Sequence, residues 1–298
     1  IVITAIGLAL LPVGIKYESG GAAAFQMNAP EWGDFSRWGL ALVVIFVALG
    51  FKFFTRGTMS SAAILIGLIA GYVVGYMTGA VDFAGVAKAA WFAVPQPFKY
   101  GVEFSAFAII GMCLMSLVSA IETVGDISGI AKGGANREAT DKELSGGTYA
   151  DGFGSFIAGL FGGLPNTSFS QNVGLISMTG VMIRSVVTLG ALFLAACGLI
   201  PKVGAVVAAM PISVLGGGVI MMFGMVVSAG INMLSGVNWN RRNMIILAMS
   251  LSVGLGIQAV PKSMQHLPDS LEMLMVSGLL PAAAISVILN LLIPKDID

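Results

Sequence analysis

Residues 165–184 read PNTSFSQNVGLISMTGVMIR and decide how the rest of the chain is interpreted. This polar, glycine-containing stretch lies deep in a sequence that is otherwise mostly apolar. Inside a membrane, an irregular polar segment persists only where it is buried in protein or lines a water-filled cavity. The extended residues 167–170 run into a helix start at Gln171 and Asn172, which is the pattern of a broken transmembrane element. Transporters bind their substrates at such breaks, so the stretch predicts a transport site.

The composition is that of a membrane protein. Hydrophobic residues make up 57% of the 298 positions and charged residues only 10%, whereas soluble domains carry roughly 25% charged residues. The mean hydropathy of +0.93 agrees with this interpretation. Because the formal net charge is zero, a nucleic-acid partner is not expected. The chain is therefore predicted to be an all-α polytopic membrane protein in contact with the lipid bilayer.

Cysteine and histidine are too sparse to suggest a metal or redox centre. Cys113 and Cys197 lie in apolar runs, where we interpret them as small buried hydrophobic side chains. The only histidine, His266, lies in the polar segment 261–269 and is interpreted as a loop residue. No metal and no organic cofactor is expected.

A membrane span needs about 20 apolar residues, and this length gives a coarse map. The run 203–230 contains Pro211 and three consecutive glycines, so it predicts either a bent helix or a hairpin. The pieces 149–163 and 171–183 are too short to span a bilayer comfortably, and segment 83–98 has the aromatic and proline content of an interfacial stretch. The predicted apolar runs are 1–15, 38–55, 60–80, 104–125, 182–200, 203–230, 243–260 and 272–293.

The termini and the longest polar stretch give an orientation. Lysine and arginine placement favours a cytoplasmic C-terminus, with the mixed-charge stretch 132–145 as a cytoplasmic loop.

The chain opens at Ile1 with no initiator methionine and no basic segment ahead of its first apolar run. We therefore expect the biological start to lie upstream, so that the sequence begins inside or just before a span.

Three acidic residues lie in or beside apolar sequence, namely Glu122, Asp126 and Asp151. Glu122 and Asp126 are four residues apart, so in a helix they share a face. Because two like charges repel in a low dielectric, one of them should be protonated or find a partner. An ionisable residue inside a membrane is by default a candidate for a substrate or ion pathway. The alternatives are a helix-end cap for Asp126 and an N-cap for Asp151.

The chemistry of these positions favours a neutral, hydrogen-bonding substrate. No lysine or arginine lies in the inner elements, so a carboxylate there can change between neutral and charged states, as a proton-coupled carrier requires. Gln171 and Asn172 each offer an acceptor and a pair of donors, which match the N–H and C=O edge of a nucleobase. A helix cap explains Asn172 equally well, but glutamine is a poor cap.

These motifs resemble those of the nucleobase–ascorbate transporter family, also called nucleobase:cation symporters, and its bacterial xanthine/urate permeases. Residues 171–180 (QNVGLISMTG) resemble the family's Q/E-N-x-G-x4-T signature. Residues 122–126 (ETVGD) resemble its acidic helix, and residues 150–152 (ADG) resemble the helix that follows. The order and spacing of three separate motifs make the resemblance specific, and it covers essentially all 298 residues.

The resemblance implies a fold of fourteen spans in two inverted seven-span repeats, divided into a core domain and a gate domain, with short β-strand breaks in the core. Residues 1–100 would be gate-domain helices of the first repeat. Residues 101–200 would be core-domain helices of the second repeat and carry the substrate site, and 201–298 would be its gate-domain helices. The first four spans would precede Ile1 and contribute a strand facing 167–170. A homodimer through the gate domain is a further expectation.

The resemblance also implies roles for single residues. Glu122 would bind both the substrate and the coupled proton, and Gln171 would be the second substrate ligand. The residues that would border the site are Phe169 and Ser170. Affinity and specificity would depend on Asn172, Gly174, Thr179 and Gly180. The supporting acidic positions would be Asp126 and Asp151.

The implied function is a proton-coupled symporter that imports purine nucleobases, xanthine or urate above all, across the plasma (inner) membrane. Family members that select uracil tend to have glutamate at the position of Gln171, so the glutamine points to xanthine or urate. Val173 and Gly180 depart from residues frequent in the family and leave the choice among purines open.

The rivals are a uracil permease of the same family and an anion carrier of the same fold, and Glu122 argues against the latter. A membrane enzyme would need a nucleophile–base pair or metal ligands within the membrane, and a passive channel would not need closely placed ligands.

Overall fold

The computed structural model describes residues 1–27, 29, 32–169, 172–173, 176 and 181–294. These residues form helices and irregular connections, with no β-strand among them, so the expected strand break is seen only as the non-helical segment 163–169. The helices are α1 (Val2–Glu18), α2 (Ala22–Gln26), α3 (Phe35–Phe54), α4 (Thr58–Ser61), α5 (Ala63–Met77), α6 (Ala84–Lys88), α7 (Ala106–Ala135), α8 (Asp141–Leu160), α9 (Arg184–Gly198), α10 (Pro201–Ala208), α11 (Ile212–Leu234), α12 (Arg241–Ala259), α13 (Asp269–Val276) and α14 (Leu279–Leu292), with a 3-10 turn at Pro261–Met264.

Several of these helices have the length and composition of membrane spans. In the part of the chain that the structure describes, α3, α7, α11 and α12 are long and apolar enough to cross a membrane. Helices α9 and α10 are long and apolar enough to cross a membrane only when they are taken together. They bend by 88° at the break between them. The run 203–230 is divided because α10 ends at Ala208 and α11 begins just after Pro211. Proline has no N–H to donate, so it is tolerated better at a helix start than in a helix interior.

Helix α7 is longer than the sequence indicates. The Ser105 hydroxyl accepts from the backbone N–H of Ala108 and starts the helix, and Asn136 ends it in the left-handed conformation. The predicted apolar run stopped at residue 125, but the glycine- and alanine-rich stretch that follows continues as helix. Asp126 therefore lies well inside α7, and the helix-end cap considered for it is wrong.

Helix α8 begins ten residues before Asp151. Thr140 and Glu143 form a reciprocal capping box, in which each side chain accepts from the other's backbone N–H. Arg137 adds two bonds to the Glu143 carboxylate, at 2.8 and 2.6 Å. The Arg137 guanidinium and the Thr140 N–H hold the pKa of Glu143 well below its usual range. Because the helix starts at Asp141, the N-cap interpretation of Asp151 is wrong.

The chain divides into two compact units. Unit 1 comprises residues 1–10, 97–180 and 224–298, and its core contains Val2, Val118, Leu280 and Ala283. It therefore holds α7, α8, α12, α13 and α14.

Unit 2 comprises residues 11–96 and 181–223, and its helices approach one another closely through glycines. Its core is formed by Leu40, Val44 and Val214. A Cβ atom at Gly217 of α11 would lie 2.5 Å from the carbonyl oxygen of Ala41 in α3, and one at Gly67 of α5 would lie 2.6 Å from that of Val44. Small residues at such interfaces allow backbones to come near enough for strong van der Waals contact, which is the main packing force between helices in lipid.

Replacing Gly217 with alanine should therefore destabilise the protein. The added methyl group must push α11 away from α3, and overpacking of this kind costs roughly 1–3 kcal/mol. Gly224→Ala on the same helix is the control, because a Cβ there meets nothing within 4 Å. The melting temperature in detergent, measured by fluorescence-detected size exclusion, should fall for Gly217→Ala only. Equal melting temperatures for the two variants would contradict the packing described here.

Candidate functional site

A group of polar side chains connects α7, α8 and the non-helical segment 163–169 within unit 1. We call it the polar cluster. Each helix contributes hydroxyl and carboxylate groups from positions three or four residues apart, so that they lie on one face. Its members are Ser119, Thr123, Asp126, Asp151, Ser155, Asn166, Thr167 and Ser168.

Asp126 is the most deeply buried acid of the cluster, with 2% of its surface exposed. Its Oδ2 accepts a hydrogen bond from the Ser168 hydroxyl at 2.5 Å. A short bond of this kind is typical of a hydroxyl donating to an ionised or polar oxygen in a low dielectric. The non-helical segment thus directly contacts an acid of α7.

Asp151 is held by α7 in a matching way. The hydroxyl of Thr123, also 2% exposed, donates to Asp151 Oδ2. The two helices come close enough for this because Gly147 of α8 has no side chain and Ile127 of α7 lies against it. Two acids on two helices therefore each receive one hydroxyl hydrogen bond.

The non-helical segment has few backbone partners of its own and is bonded by side chains. The Ser155 hydroxyl of α8 accepts from the N–H of Asn166 at 2.8 Å and donates to its carbonyl oxygen at 3.1 Å. On the other side, Ser119 of α7 donates to the Thr167 hydroxyl at 2.9 Å. Ser155 of α8 thus pairs the backbone N–H and C=O of Asn166, and Ser119 of α7 holds the neighbouring side chain.

Glu122 has a different environment from Asp126, although the two are four residues apart on α7. It is half-buried and lines a cavity of about 390 Å³ in unit 1. The cavity walls come from α7, α12 and α14 and from the ends of α1 and α11 in this unit. Its volume falls within the range of roughly 300–1,000 Å³ that small-molecule sites occupy.

The remaining predicted site residues are only partly described. Phe169 is 55% exposed, and the backbone N–H of Asn172, whose side chain is exposed, donates to the Phe169 carbonyl at 2.9 Å. The residues that lie outside the described part of the chain are Ser170, Gln171, Gly174, Thr179 and Gly180. The structure therefore brings Asp126 and Asp151 into one cluster with the broken segment, and it leaves the pairing of Glu122 with Gln171 untested.

Sequence reasoning missed the hydroxyl partners of the acids. Ser119, Thr123 and Asp126 follow a spacing of four and three residues, which in an apolar helix indicates a polar stripe. That signal was available in the sequence. The identity of the partners on α8 and on the segment could not be found in the sequence, because it depends on how the helices pack.

In the described residues, no group of three or more His, Cys, Asp or Glu side chains could hold a metal ion.

Comparisons with known proteins place this geometry in context. A family model described as "Permease family", with the short name Xan_ur_permease, matches residues 1–263. The chain is 36% identical over 292 residues to the xanthine permease of Bacillus subtilis, covering 97% of this chain and 65% of that protein. It is 36% identical over 294 residues to the nucleobase transporter PlUacP of Paenibacillus larvae, covering 98% and 66%. It is 34% identical over 292 residues to the uric acid permease PucJ of Bacillus subtilis, covering 97% and 65%. The chain thus spans slightly less than two thirds of the length of each of these relatives.

Removing the Ser155 hydroxyl should loosen the broken segment. Ser155→Ala deletes both hydrogen bonds to the backbone of Asn166, and an intramolecular hydrogen bond typically contributes about 0.5–1.5 kcal/mol. Amide hydrogen exchange of residues 164–169, measured by mass spectrometry, should become faster by roughly tenfold or more. Ser128→Ala is the control, because that hydroxyl bonds the Val124 carbonyl of its own helix at 2.7 Å. Equal exchange in the two variants would show that Ser155 does not hold the segment.

Proposed function

Since the chain belongs to the permease family whose model it matches, we propose that it is part of a proton-coupled symporter that imports purine nucleobases, xanthine or urate above all. The family and the apolar helices support a multi-pass integral membrane protein, and we propose that it acts as a transporter and not as an enzyme. The proposal extends this to a substrate, a coupling ion and the plasma (inner) membrane. Relatives named for xanthine and uric acid support the choice of substrate.

The observation that carries the proposal is the position of Glu122. A carboxylate in the middle of a long apolar helix is expensive to keep there and usually serves a substrate or ion pathway. Glu122 meets this description and also lines a ligand-sized cavity. An ionised carboxylate accepts hydrogen bonds from N–H groups, which xanthine and urate carry on their ring edges. Glu122 is therefore our candidate for the substrate ligand.

The amide of Gln171 is proposed as the second ligand of the base. An amide both donates and accepts, so it can satisfy an N–H and a C=O on one ring edge. In this proposal Phe169 and Ser170 border the base. The signature residues proposed to tune affinity and specificity are Asn172, Gly174, Thr179 and Gly180.

The polar cluster supports proton coupling. Ser168 and Thr123 each bond one acid through a hydroxyl, and a hydroxyl can donate to a carboxylate or accept from a carboxylic acid by rotating. Asp126 and Asp151 can therefore exist in either protonation state without losing their partners. We propose that these two acids, with Glu122, share the proton that is transported with the base. No other cofactor is part of the proposal.

The finer architecture is also a proposal. We place residues 1–100 and 201–298 in the gate domain and residues 101–200 in the core domain of a fourteen-span inverted-repeat transporter that dimerises through its gate domains. The greater length of the relatives supports this. A uracil permease of the same family and an anion carrier of the same fold remain the alternatives, and competition between xanthine, uracil and an inorganic anion separates them.

Glu122→Gln should abolish uptake of radiolabelled xanthine while the protein stays in the membrane. Glutamine has no carboxylate that could hold the transported proton, and its NH2 group cannot accept a hydrogen bond from the base. One polar group left unpaired in such a site costs about 1–3 kcal/mol. Uptake is measured in a bacterial strain without its own purine permeases, with urate and uracil as competitors and the protein expressed from its whole gene. Glu138→Gln, an exposed carboxylate after α7, is the matched control. Normal uptake by Glu122→Gln would exclude Glu122 as the ligand.

Transport should depend on the proton gradient and on Asp151. A protonophore should collapse xanthine accumulation, because coupled acids in a low dielectric cannot all ionise together and therefore carry a proton. Asp151→Asn should lower kcat by about tenfold or more with little change in KM, since the amide oxygen still accepts from Thr123 but cannot take a proton. Asp141→Asn at the exposed start of the same helix should leave both constants unchanged. Uptake that survives the protonophore and requires sodium would contradict the coupling ion.

A further inference from the structure

The cavity beside Glu122 is lined by residues of both α7 and α14 in unit 1. Val118 of α7 packs with Ala283 of α14 in the core of the unit. One turn further along each helix, Glu122 and Ser286 both line the cavity. Since residues three or four apart share a helix face, Glu122 lies on the face of α7 that carries Val118, and Ser286 lies on the face of α14 that carries Ala283. The cavity therefore has a wall on α14 as well as the wall that carries Glu122.

A buried arginine orders the α14 wall. Arg242 of α12 is 7% exposed, and its Nε donates to the carbonyl of Ile293 at 2.9 Å. Its Nη2 donates to the carbonyl of Asn290 at 2.6 Å and to the Asn290 side-chain Oδ1 at 3.0 Å. A cation at the C-terminus of a helix is favourable because the last carbonyls lack intrahelical partners. The guanidinium thus fixes both the end of α14 and the orientation of the Asn290 amide.

That orientation leaves the Asn290 donors available. Because Oδ1 accepts from Arg242, the two N–H groups on Nδ2 lie on the side away from the guanidinium, and Asn290 lines the cavity. Ser286, one turn earlier on α14, donates its own proton to the Ala283 carbonyl at 2.8 Å. Its oxygen lone pairs are therefore left as acceptors. The α14 wall offers one donor group and one acceptor group.

Two further residues differ in what they can offer. Asn243 also lines the cavity, but its Oδ1 accepts from Arg242 at 3.2 Å and its Nδ2 donates to the Asn238 carbonyl at 2.8 Å. Its oxygen and one of its two N–H groups are thus engaged by the protein. Trp239 lines the cavity and is 41% exposed, so its ring is accessible. Stacking of a base on an aromatic ring is worth roughly 1–3 kcal/mol and does not depend on which base it is.

We propose that Trp239, Ser286 and Asn290 form a nucleobase subsite on the α14 side of the Glu122 cavity, and that this subsite contributes to substrate selection. The base stacks on Trp239, a ring carbonyl accepts from Asn290, and a ring N–H donates to Ser286. The groups favour oxopurines, which present carbonyls and N–H groups together, over purines that lack a carbonyl. This inference rests on the proposed function and adds residues to it outside the signature motifs.

Asn290→Asp tests the donor without disturbing the arginine. The carboxylate keeps an acceptor for Arg242 but has no N–H to offer the base, so the end of α14 stays capped. We expect KM for xanthine to rise by about tenfold while kcat and the amount of protein in the membrane stay within twofold. Trp239→Phe should retain most of the affinity, and Trp239→Ala should lose about tenfold. A merely structural role for Asn290 would change protein amount and not KM alone.

Occupancy is measured directly by protection of a cysteine. Ser286→Cys is placed in a variant whose native Cys113 and Cys197 are replaced by alanine, and its alkylation rate by N-ethylmaleimide is followed with and without xanthine. Saturating xanthine should slow the reaction at least fivefold. Ser263→Cys, in the exposed turn after α12, is the matched control and should react at the same rate in both conditions.

The outcomes separate this inference from the function on which it rests. A wild-type protein that takes up no nucleobase would contradict the proposed function. If the wild-type protein takes up xanthine, an unchanged KM in Asn290→Asp or an unprotected Ser286→Cys overturns the subsite and leaves the function standing. A raised KM together with protection at position 286 supports it.

Discussion

A non-helical segment in an apolar unit leaves backbone N–H and C=O groups that no helix ladder can pair, and in low dielectric each such group needs another partner. Here Ser155 of α8 bonds both backbone atoms of Asn166. Ser119 of α7 adds a bond between side chains, from its hydroxyl to that of Thr167. Residues 172 and 173 are helical, and residues 166–168 ahead of them are bonded to α7 and α8 by these side chains.

The same constraint explains where the acids lie. Asp126 and Asp151 do not cap helices, since both fall inside long ones. Each instead accepts from a hydroxyl on another element, Asp126 from Ser168 of the non-helical segment and Asp151 from Thr123 of α7. A carboxylate with a hydroxyl partner tolerates protonation better than one paired with a fixed cation, because the hydroxyl can reverse its role. The residues that hold the break and the two acids proposed to share the proton therefore belong to one cluster.

Much of this arrangement could be predicted from the sequence. The apolar runs located most of the long helices, the polar stretch 165–184 marked the break, and the resemblance to a permease family agreed with the comparisons. Other features could not be predicted. The glycine- and alanine-rich residues after Asp126 have no clear apolar period, so the sequence did not predict that α7 extends to Ala135. The start of α8 was assigned to a loop because its capping residues are charged and polar. The hydroxyl partners and the role of Arg242 depend on contacts between elements far apart in sequence, which local patterns do not encode.

The two sides of α7 differ in the kind of contact they make. On the side of α8, the hydrogen bond from Thr123 to Asp151 is directional and is joined by the apolar contact of Ile127 with Gly147. On the side of α14 the contact is a layer of small and branched apolar side chains, Val118 with Leu280 and Ala283, whose attraction is non-directional. Arg242 of α12 adds directional bonds to the end of α14. The helix that carries Glu122 and the helix that carries Asn290 are therefore each held by hydrogen bonds to another helix, whereas the contact between the two is apolar.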